Sequence, residues 1–464
     1  MSKTVKRREF IKYGVASGTV ACGSLTSPEN ATESTKQLSS ETSRPWWVKE
    51  DDGTAAAIDE KEYGRFDANA DVFGSMKKYV GDEELRELNK GSRKYRSELA
   101  EADTEGFRIQ DRALARAARA LWNNRWFATG FRKEAPTKEE PEPVRVKSEN
   151  PERRRQWEGE PVEAAALVKQ AARYLGAASV GVTQLDRRHI YSKDHGKDGG
   201  IDIVFEQVDE PYEIPGTKRV IPEKCEYAVA VTVQMSMDTL KCVPTGISDA
   251  GTYLGYSRAA FLIGSLAEFI RGLGHTAIPA LNGLGASIPI AIDAGLGELA
   301  RTNRLITPEY GPAVRLAKVL TDLPMKTDKP IRFGVREFCG ICKRCAECCP
   351  AQSLSFQDEP DFQVKGEWNN PGHEGWFEDS PRCYQYWKES TTCCSNCIVV
   401  CPWNKKDKTL VHSVIKASSS TFPGLGGVFT SLDEAFGYGQ PSDPGDWWNL
   451  KLPEYGIDTK RGKG

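Results

Sequence analysis

The pattern of apolar and polar positions divides the chain of 464 residues into ordered segments and polar connections. Apolar residues recur at helical spacing between residues 75 and 130, for instance in DRALARAARALWNNRW at 111–126, which predicts helices. Residues 24–43 are rich in Ser, Thr and Glu and predict a disordered tether, whereas residues 133–160, rich in Pro, Glu and Arg, predict a long surface connection. The adjacent Trp46 and Trp47 begin the ordered sequence and are expected to pack on the main domain.

The middle of the chain alternates between helical and extended patterns, which indicates an α/β unit. The predicted elements are a helix at 161–174, a strand at 179–182, a β-rich run at 225–233, a helix at 256–270, and strands at 275–280 and 313–321. Residues 190–220 are rich in Gly and Asp and are predicted to be a loop. The Asn282-Gly283-Leu284-Gly285 stretch contains two glycines, so its backbone can closely approach a bulky ligand.

Charge and hydropathy exclude two classes of protein. The chain has 63 Lys and Arg against 65 Asp and Glu, a net charge of −2. This balance argues against a protein built mainly to hold nucleic acid, which usually has a basic excess. No stretch of about twenty apolar residues occurs, so no permanent membrane span is expected.

Most of the thirteen cysteines fall in two motifs near the C-terminus. The first motif, C-x2-C-x2-C-x3-C-P, consists of Cys339, Cys342, Cys345, Cys349 and Pro350. The second, C-x2-C-x3-C-P, consists of Cys394, Cys397, Cys401 and Pro402, with Cys383 upstream as the candidate for its first cysteine. Because these cysteines belong to motifs, their number does not indicate an oxidising compartment.

This spacing is the one that bacterial two-cluster ferredoxins use for [4Fe–4S] clusters. Three closely spaced thiolates bind one cluster, and the cysteine before the proline binds the other. One cluster is therefore assigned Cys339, Cys342, Cys345 and Cys401, and the other Cys383, Cys394, Cys397 and Cys349. Cys348 and Cys393 stand beside ligands and are left unassigned. The alternatives are a disulfide framework or a zinc site, although zinc prefers paired C-x2-C units with four ligands per ion.

The first residues predict export. Arg7 and Arg8, followed by Phe10 and Lys12 and then a short, weakly apolar run, match the twin-arginine export pattern. The alternative is the start of a basic amphipathic helix. The twin-arginine route carries folded cargo, which suits a protein whose clusters must be inserted before export. Cys22 follows a poor match to a lipidation site.

Together these features resemble the catalytic subunit of the corrinoid-dependent reductive dehalogenases. The segments that carry the resemblance are RREFIK, YSRAA, LNGLG, PEYGPAVRLAKVLTDLP, REFCGICKRCAECCP and CSNCIVVCPWNK. The resemblance implies an α+β or α/β fold, with a nitroreductase-like corrinoid-binding core and a C-terminal bacterial-ferredoxin-like domain that holds two [4Fe–4S] clusters. The corresponding division is a signal and tether at 1–35, an N-terminal region packing on the core at 36–160, the catalytic core at 161–332, the two-cluster domain at 333–405 and a tail at 406–464.

The resemblance also implies roles for individual residues. Tyr256 matches the proton donor of the family, Arg315 the cation beside it, and Asn282 the polar group near the halogen of the substrate. A tyrosine has a pKa near 10, so it is protonated at neutral pH, and a neighbouring guanidinium favours the tyrosinate that remains after proton donation. The remaining matches are Gly283 and Gly285 at the cofactor, and Thr252 and Trp387 in the wall of the substrate pocket.

Each of these residues also has an ordinary structural interpretation. In that interpretation, Tyr256 at the start of a helix is a core residue whose hydroxyl is hydrogen-bonded. Arg315 is one half of a structural ion pair, and Asn282 is a turn residue. No motif marks a cobalt ligand, because Asp194-His195-Gly196 lacks the spacing of the D-x-H-x-x-G motif of corrinoid proteins. His195 is therefore interpreted as a loop residue, and the corrinoid as bound with its lower base detached.

The function implied is the replacement of halide by hydrogen on an organohalide in anaerobic respiration. The expected partners are a small halogenated substrate, a small integral-membrane anchor subunit and an electron donor in the membrane, with the protein on the outer face of the cytoplasmic membrane and no nucleic acid bound. Two alternatives stay open. One is a tRNA-modifying enzyme of the epoxyqueuosine reductase type, and the other is an electron carrier with two clusters and no chemistry of its own.

Overall fold

The computed structural model describes residues 44–51, 57–118, 132–133, 156–196, 199–404 and 439–453. The strands are β1 Lys49–Glu50, β2 Arg132–Lys133, β3 Ser179–Gln184, β4 Lys193–Asp194, β5 Ile201–Glu206, β6 Tyr212–Ile214, β7 Lys218–Pro222, β8 Tyr227–Gln234, β9 Ala277–Ala280, β10 Glu298–Leu299, β11 Leu305–Ile306, β12 Val314–Thr321 and β13 Ile331–Arg332. The helices are α1 Val72–Val80, α2 Asp82–Glu101, α3 Ile109–Ala118, α4 Pro161–Tyr174, α5 Met237–Leu240, α6 Gly246–Gly272, α7 Ser287–Asp293, α8 Val335–Cys342, α9 Arg344–Glu347, α10 Ser380–Glu389 and α11 Asn396–Val399.

The predicted export signal, Cys22 and the tether lie outside the described residues, as do most of the connection at 133–160 and most of the tail. All described residues belong to one compact unit. In these ranges, no helix is both long and apolar enough to cross a membrane.

A four-stranded sheet in the order β3-β8-β12-β9 forms the centre of the molecule. β8 and β12 pair over eight positions, from Val314 opposite Gln234 to Thr321 opposite Tyr227. All three pairings in this sheet are antiparallel, so of the two predicted classes, α+β and α/β, the central sheet has the α+β arrangement. Both faces are covered, because α4 and α6 pack on one apolar face and α7 lies in the cluster on the other.

Helix α6 is the longest element beneath the sheet. It begins after Thr245, whose hydroxyl accepts a hydrogen bond from the Ile247 amide. The Ser248 hydroxyl in turn accepts a hydrogen bond from the Thr245 amide, which completes a capping box. The helix therefore starts ten residues earlier than predicted, and Tyr256 lies within it rather than at its start. The stretch 246–255 contains three glycines and weak helix formers, so local sequence did not predict the helix that burial stabilises.

A second sheet, in the order β2-β6-β7-β5-β4, is built largely from residues that were predicted to be a loop. The prediction of a loop at 190–220 is wrong because strands β4 to β7 lie in that range. They are short and partly exposed, and their pairing is set by tertiary contacts, with β5 parallel to β7 and β6 antiparallel to it.

The cysteine-rich segment is joined to the start of the described chain. β1 pairs with β13, and Trp47 is buried in a cluster of apolar side chains with Phe333, Phe338 and Trp403. The packing expected of the adjacent tryptophans is confirmed for Trp47, which is 5% exposed, and wrong for Trp46, which is 80% exposed. The N-terminal segment thus forms part of the support of the first cysteine motif.

Candidate active site

A cavity of about 770 Å³ separates the central sheet from the cysteine-rich segment. Its volume lies in the upper part of the range of about 300–1,000 Å³ that is typical of sites for small molecules and cofactors. The predicted site residues that line it are Thr252, Tyr256, Asn282, Gly283, Arg315, Cys349, Cys383, Trp387, Cys394 and Cys397. Residues from helices α6, α10 and α11, from strand β12 and from three separate loops therefore meet at one cavity.

Tyr256 receives two donors at its phenolic oxygen. Asn282 Nδ2 donates to it at 3.1 Å, and Arg315 Nη1 donates at 3.4 Å. The Arg315 guanidinium also lies over the Tyr256 ring, 4.5 Å from its centroid. A positive charge and an amide donor that both face a phenol oxygen are placed to stabilise negative charge that develops on that oxygen.

Two buried donors at the cavity have no hydrogen-bond partner among the described residues. They are Arg315 Nε and Trp387 Nε1. Both belong to residues that line the cavity. Because a buried donor without a partner is costly, these groups indicate a site whose polar requirements are completed by a bound molecule.

Contacts from helix α6 hold the second cysteine motif against the cavity. Asp249 accepts a hydrogen bond from the Cys393 amide at 2.6 Å, and the Tyr253 hydroxyl lies 3.4 Å from Cys393 Sγ. The hydroxyls of Thr252 and Ser395 are 3.4 Å apart. Cys393, which also lines the cavity, thus contacts helix α6 through both its amide and its thiol.

The predicted cluster ligands fall into two groups by their effects on one another. Burial raises the pKa of the Cys401 thiol, and Cys339, Cys342 and Cys345 raise it further. Burial likewise raises the pKa of Cys394 to about 12, with further increases from Cys397 and Cys349. The pKa of Cys383 is also raised first by burial and then by Glu378, with Cys397 and Cys394 adding to it.

The two groups approach each other, since Cys397 raises the pKa of the buried Cys345. Only the group of Cys349, Cys383, Cys394 and Cys397 lines the cavity. Cys339, Cys342 and Cys401 pack instead with the apolar cluster around Trp47. Within the described residues, no set of three or more Cys, His, Asp or Glu side chains is placed to hold a metal ion as a single-ion site.

The two glycines of the Asn282 loop lie in different surroundings. Gly283 lines the cavity. Gly285 packs against the backbone of the neighbouring segment, where an added Cβ would lie 2.5 Å from His189 O. The close approach that requires glycine at 285 is therefore to protein backbone, whereas Gly283 is the glycine that faces the cavity.

His195 lies at the cavity and is paired on both sides. Its Nε2 is 2.9 Å from Asp71 Oδ1, and its Nδ1 is 3.4 Å from Asp194 Oδ1. The hydrogen bonds to Asp194 and Asp71 raise the pKa of His195 to about 10, so the imidazole is protonated at neutral pH. Both nitrogens are then donors, which leaves no lone pair for a metal ion.

Sequence reasoning missed Lys318, a buried cation on β12. Its Nζ donates to Leu281 O at 3.0 Å and to Ser287 Oγ at 2.9 Å, so it fixes both ends of the loop that carries Asn282. Burial lowers the pKa of Lys318 to about 7, against a smaller increase from Asp194. One weak signal of its role is visible in the sequence, because a lysine is unusual in the mostly apolar run of a central strand.

The lowered pKa of Lys318 predicts a pH dependence of stability. Between about pH 7 and 10 the unfolded chain binds a proton that the folded chain releases, so the free energy of unfolding rises with pH by roughly 3–5 kcal/mol in total. Lys318→Met should remove this rise of the free energy of unfolding with pH. Anaerobic thermal unfolding of the parent and the variant from pH 6.5 to 9.5 measures the rise in each protein.

Lys94, whose side chain is 78% exposed, provides the matched control. Lys94→Met should leave the dependence of the melting temperature on pH as it is in the parent. Parallel curves for the parent and Lys318→Met would contradict the prediction, because they would mean that Lys318 stays charged throughout this range.

Comparisons with known proteins agree with the geometry. Residues 43–325 match the family model described as reductive dehalogenase subunit. The chain is 35% identical to a tetrachloroethene reductive dehalogenase of Sulfurospirillum multivorans, over 65% of this chain and 62% of that protein. It is 28% identical to a trichloroethene reductive dehalogenase of Dehalococcoides mccartyi, over 65% of this chain and 60% of that protein.

A solved catabolic reductive dehalogenase has the same fold, with a TM-score of 0.64 at 24% identity, over 90% of this chain and 52% of that one. An epoxyqueuosine reductase of Listeria monocytogenes matches only 26% of this chain, at 28% identity. The chain spans less than two thirds of the length of the dehalogenases that it matches. With the family model covering more than half of its length, the chain belongs to the reductive dehalogenase subunit family.

Proposed function

We propose that this protein is a reductive dehalogenase that replaces a halogen substituent of an organic molecule by hydrogen. The observation that carries the proposal is the phenolic oxygen of Tyr256, held by Asn282 and Arg315 at a cavity whose other wall contains four of the predicted cluster ligands. The reaction consumes two electrons and one proton and releases halide. Tyr256 can supply the proton, and the potential cluster ligands at the same cavity can hold a group that supplies the electrons.

The roles of the side chains follow from their contacts. Tyr256 donates its phenolic proton to the carbon that loses halide, a role for which general acid catalysis is typically worth about 10²–10⁴-fold. Arg315 and Asn282 then hold the tyrosinate by charge and by hydrogen bonding. Thr252 and Trp387 form part of the wall against which the substrate packs.

The residues fit two [4Fe–4S] clusters. Eight thiols fall into two groups of four, and Arg301 and Arg304 lower the pKa of thiols in separate groups. Cys349, Cys383, Cys394 and Cys397 would hold the cluster beside the cavity, and Cys339, Cys342, Cys345 and Cys401 the more distant one. Iron binding requires the thiolate form, so cluster assembly releases the protons that burial retains on the free thiols.

The cavity also fits a corrinoid. Its volume of about 770 Å³, the facing Gly283 and the unpartnered Arg315 Nε and Trp387 Nε1 suit a large cofactor with polar substituents. A solved relative with the same fold is a dehalogenase of the B12-dependent kind. When bound, the corrinoid would supply the strongly reducing centre for cleavage of the carbon–halogen bond. His195, already paired with two carboxylates, would not be available to hold the cobalt.

In this proposal the core at 161–332 is the nitroreductase-like corrinoid domain, and residues 333–405 are the ferredoxin-like domain. The substrate is a small organohalide, and chlorinated ethenes are the first class to examine because relatives in two genera act on them. Export by the twin-arginine route, a membrane anchor subunit and a membrane electron donor complete the proposal. Export rests on the sequence pattern at Arg7 and Arg8, and the two partners rest on the resemblance to the family.

The test is metal content together with turnover. Protein prepared without oxygen and supplied with corrinoid should bind about eight irons and one cobalt per chain. With a reduced viologen as donor, it should release chloride from tetrachloroethene or trichloroethene. Eight irons without cobalt would contradict the proposal and favour an electron carrier. Full metal content with reduction of epoxyqueuosine in tRNA and no release of halide would favour the tRNA-modifying alternative.

A further inference from the structure

Two arginines, Arg301 and Arg304, lie beside different cysteine groups although they are only three residues apart. Both lie in the connection between β10 and β11, whose strands pair antiparallel. Arg301 lies against the backbone of the first cysteine motif, and Arg304 lines the cavity beside the second. One short hairpin therefore brings a guanidinium to each of the two cysteine groups.

Arg301 is a buried cation whose hydrogen-bond partners are all carbonyl oxygens. It donates to Cys339 O, Gly340 O, Ser355 O and Gln357 O at 2.6–3.3 Å. Its guanidinium lies 4.8 Å from the centroid of the Trp376 ring, and the residue is 1% exposed. Within the described residues, no carboxylate forms an ion pair with it. Its charge is therefore not neutralised at contact distance.

The guanidinium of Arg301 lies directly against the backbone of the first cysteine motif. Its Nε and Nη2 both donate to the carbonyl oxygen of Cys339, and Nη2 also donates to the Gly340 carbonyl oxygen. Cys339 itself is buried. The positive charge of Arg301 is thus held, away from solvent, beside the segment that carries the first group of thiols.

Arg304, by contrast, is neutralised. Its Nη1 lies 3.1 Å from Glu378 Oε2. Both side chains line the cavity, as the thiols of the second group do. The guanidinium beside the second group is therefore paired with a carboxylate at contact distance, whereas Arg301 is not.

We propose that Arg301 raises the reduction potential of the cluster held by Cys339, Cys342, Cys345 and Cys401 above that of the cluster at the cavity. The inference rests on the proposed function, because it requires that both clusters are present. Each cluster with its four thiolates is an anion, and reduction adds one more negative charge. An unneutralised cation nearby stabilises the reduced form, and net charge and hydrogen bonding are known determinants of cluster potentials.

The consequence is a division of roles between the clusters. With both clusters bound, Cys339, Cys342, Cys345 and Cys401 would hold the cluster of higher potential, on which an electron from the donor would reside before its transfer to the cluster at the cavity. One electron would leave the first cluster for each one that enters the second, so charge would balance without any further reactant. Arg301 thus acts only through the reduction potential of a cluster and is not a catalytic residue.

The experiment is an anaerobic redox titration of the iron-loaded protein, followed by electron paramagnetic resonance of the reduced clusters. Cys394→Ser alters the signal of the cavity-side cluster and so assigns the two signals. In Arg301→Gln, the one-electron equilibrium between the clusters should shift about ten-fold toward the cavity-side cluster, which corresponds to about 59 mV. Arg301→Lys keeps the charge and should restore most of the parental difference.

Glu378→Gln tests the same argument from the other side. It leaves Arg304 unneutralised, so the potential of the cavity-side cluster should rise and the difference between the clusters should shrink. If Arg301→Gln loses iron, the cluster potentials of Arg301→Lys and Glu378→Gln test the inference instead. Unchanged potentials in iron-replete Arg301→Gln, or in Glu378→Gln, would overturn the inference. Absence of iron from the parent protein would instead contradict the proposed function.

Discussion

Tyr256→Phe is expected to lower the rate of dehalogenation by about 10²–10⁴-fold, the usual contribution of a general acid. The change removes only the phenolic oxygen to which Asn282 and Arg315 donate, and it keeps the ring that packs beneath the guanidinium. Iron and cobalt content should therefore stay at the level of the parent. The measurement is chloride release with a viologen donor, normalised to bound cobalt.

Tyr253→Phe is the matched control for this substitution. Tyr253 lies one turn earlier on α6, 6.3 Å away between ring centroids, and its hydroxyl is near Cys393 Sγ. Loss of that hydroxyl should have a far smaller effect on the rate. Full activity of Tyr256→Phe with normal metal content would remove Tyr256 from the role of proton donor.

Cys349→Ser is expected to reduce the iron content from about eight to about four per chain and to abolish turnover, because one of the two clusters loses a ligand. Cys349 lines the cavity and raises the pKa of Cys394 and Cys397, so the cluster that is lost should be the one at the cavity. Iron analysis and resonance spectra of the reduced protein measure the effect.

The neighbouring Cys348 is the control. Its carbonyl accepts a hydrogen bond from Asn396 Nδ2 at 2.7 Å, which is a backbone contact that serine preserves. Cys348→Ser should keep about eight irons. Loss of iron in Cys348→Ser with retention in Cys349→Ser would reverse the ligand assignment made from the spacing.

The cysteine motifs and the antiparallel core differ in how far sequence predicts them. Ligand spacing is a local property, so the two groups of cysteines could be proposed from the chain alone. The strand at Val314–Thr321 was predicted at 313–321, because an apolar, β-branched run is also a local signal. The pairing of that strand with β8 joins residues far apart in sequence, and its antiparallel direction carries no local signature.

Prediction of the candidate site from the sequence is limited in the same way, because its contacts also join residues far apart in the chain. Tyr256, Arg315 and Asn282 were predicted through the resemblance to a family, since a tyrosine or an arginine alone has an ordinary structural interpretation. Arg301 and Lys318 could not be predicted, because their roles come from backbone carbonyls and loops that approach them only in the folded chain. Strands β4 to β7 were missed for a related reason, as short, partly exposed strands are stabilised mainly by their partners.

The pairing of β1 with β13 has a consequence for synthesis of the chain. Trp47 and Trp403, with ring centroids 6.4 Å apart, are buried in the same cluster of apolar side chains, yet they come from opposite sides of the core in sequence. During synthesis Trp47 can pack on Phe333 once β13 has emerged, but its contact with Trp403 can form only after the last cysteine motif has left the ribosome. The apolar cluster around Trp47 is therefore completed only after both cysteine motifs have been synthesised.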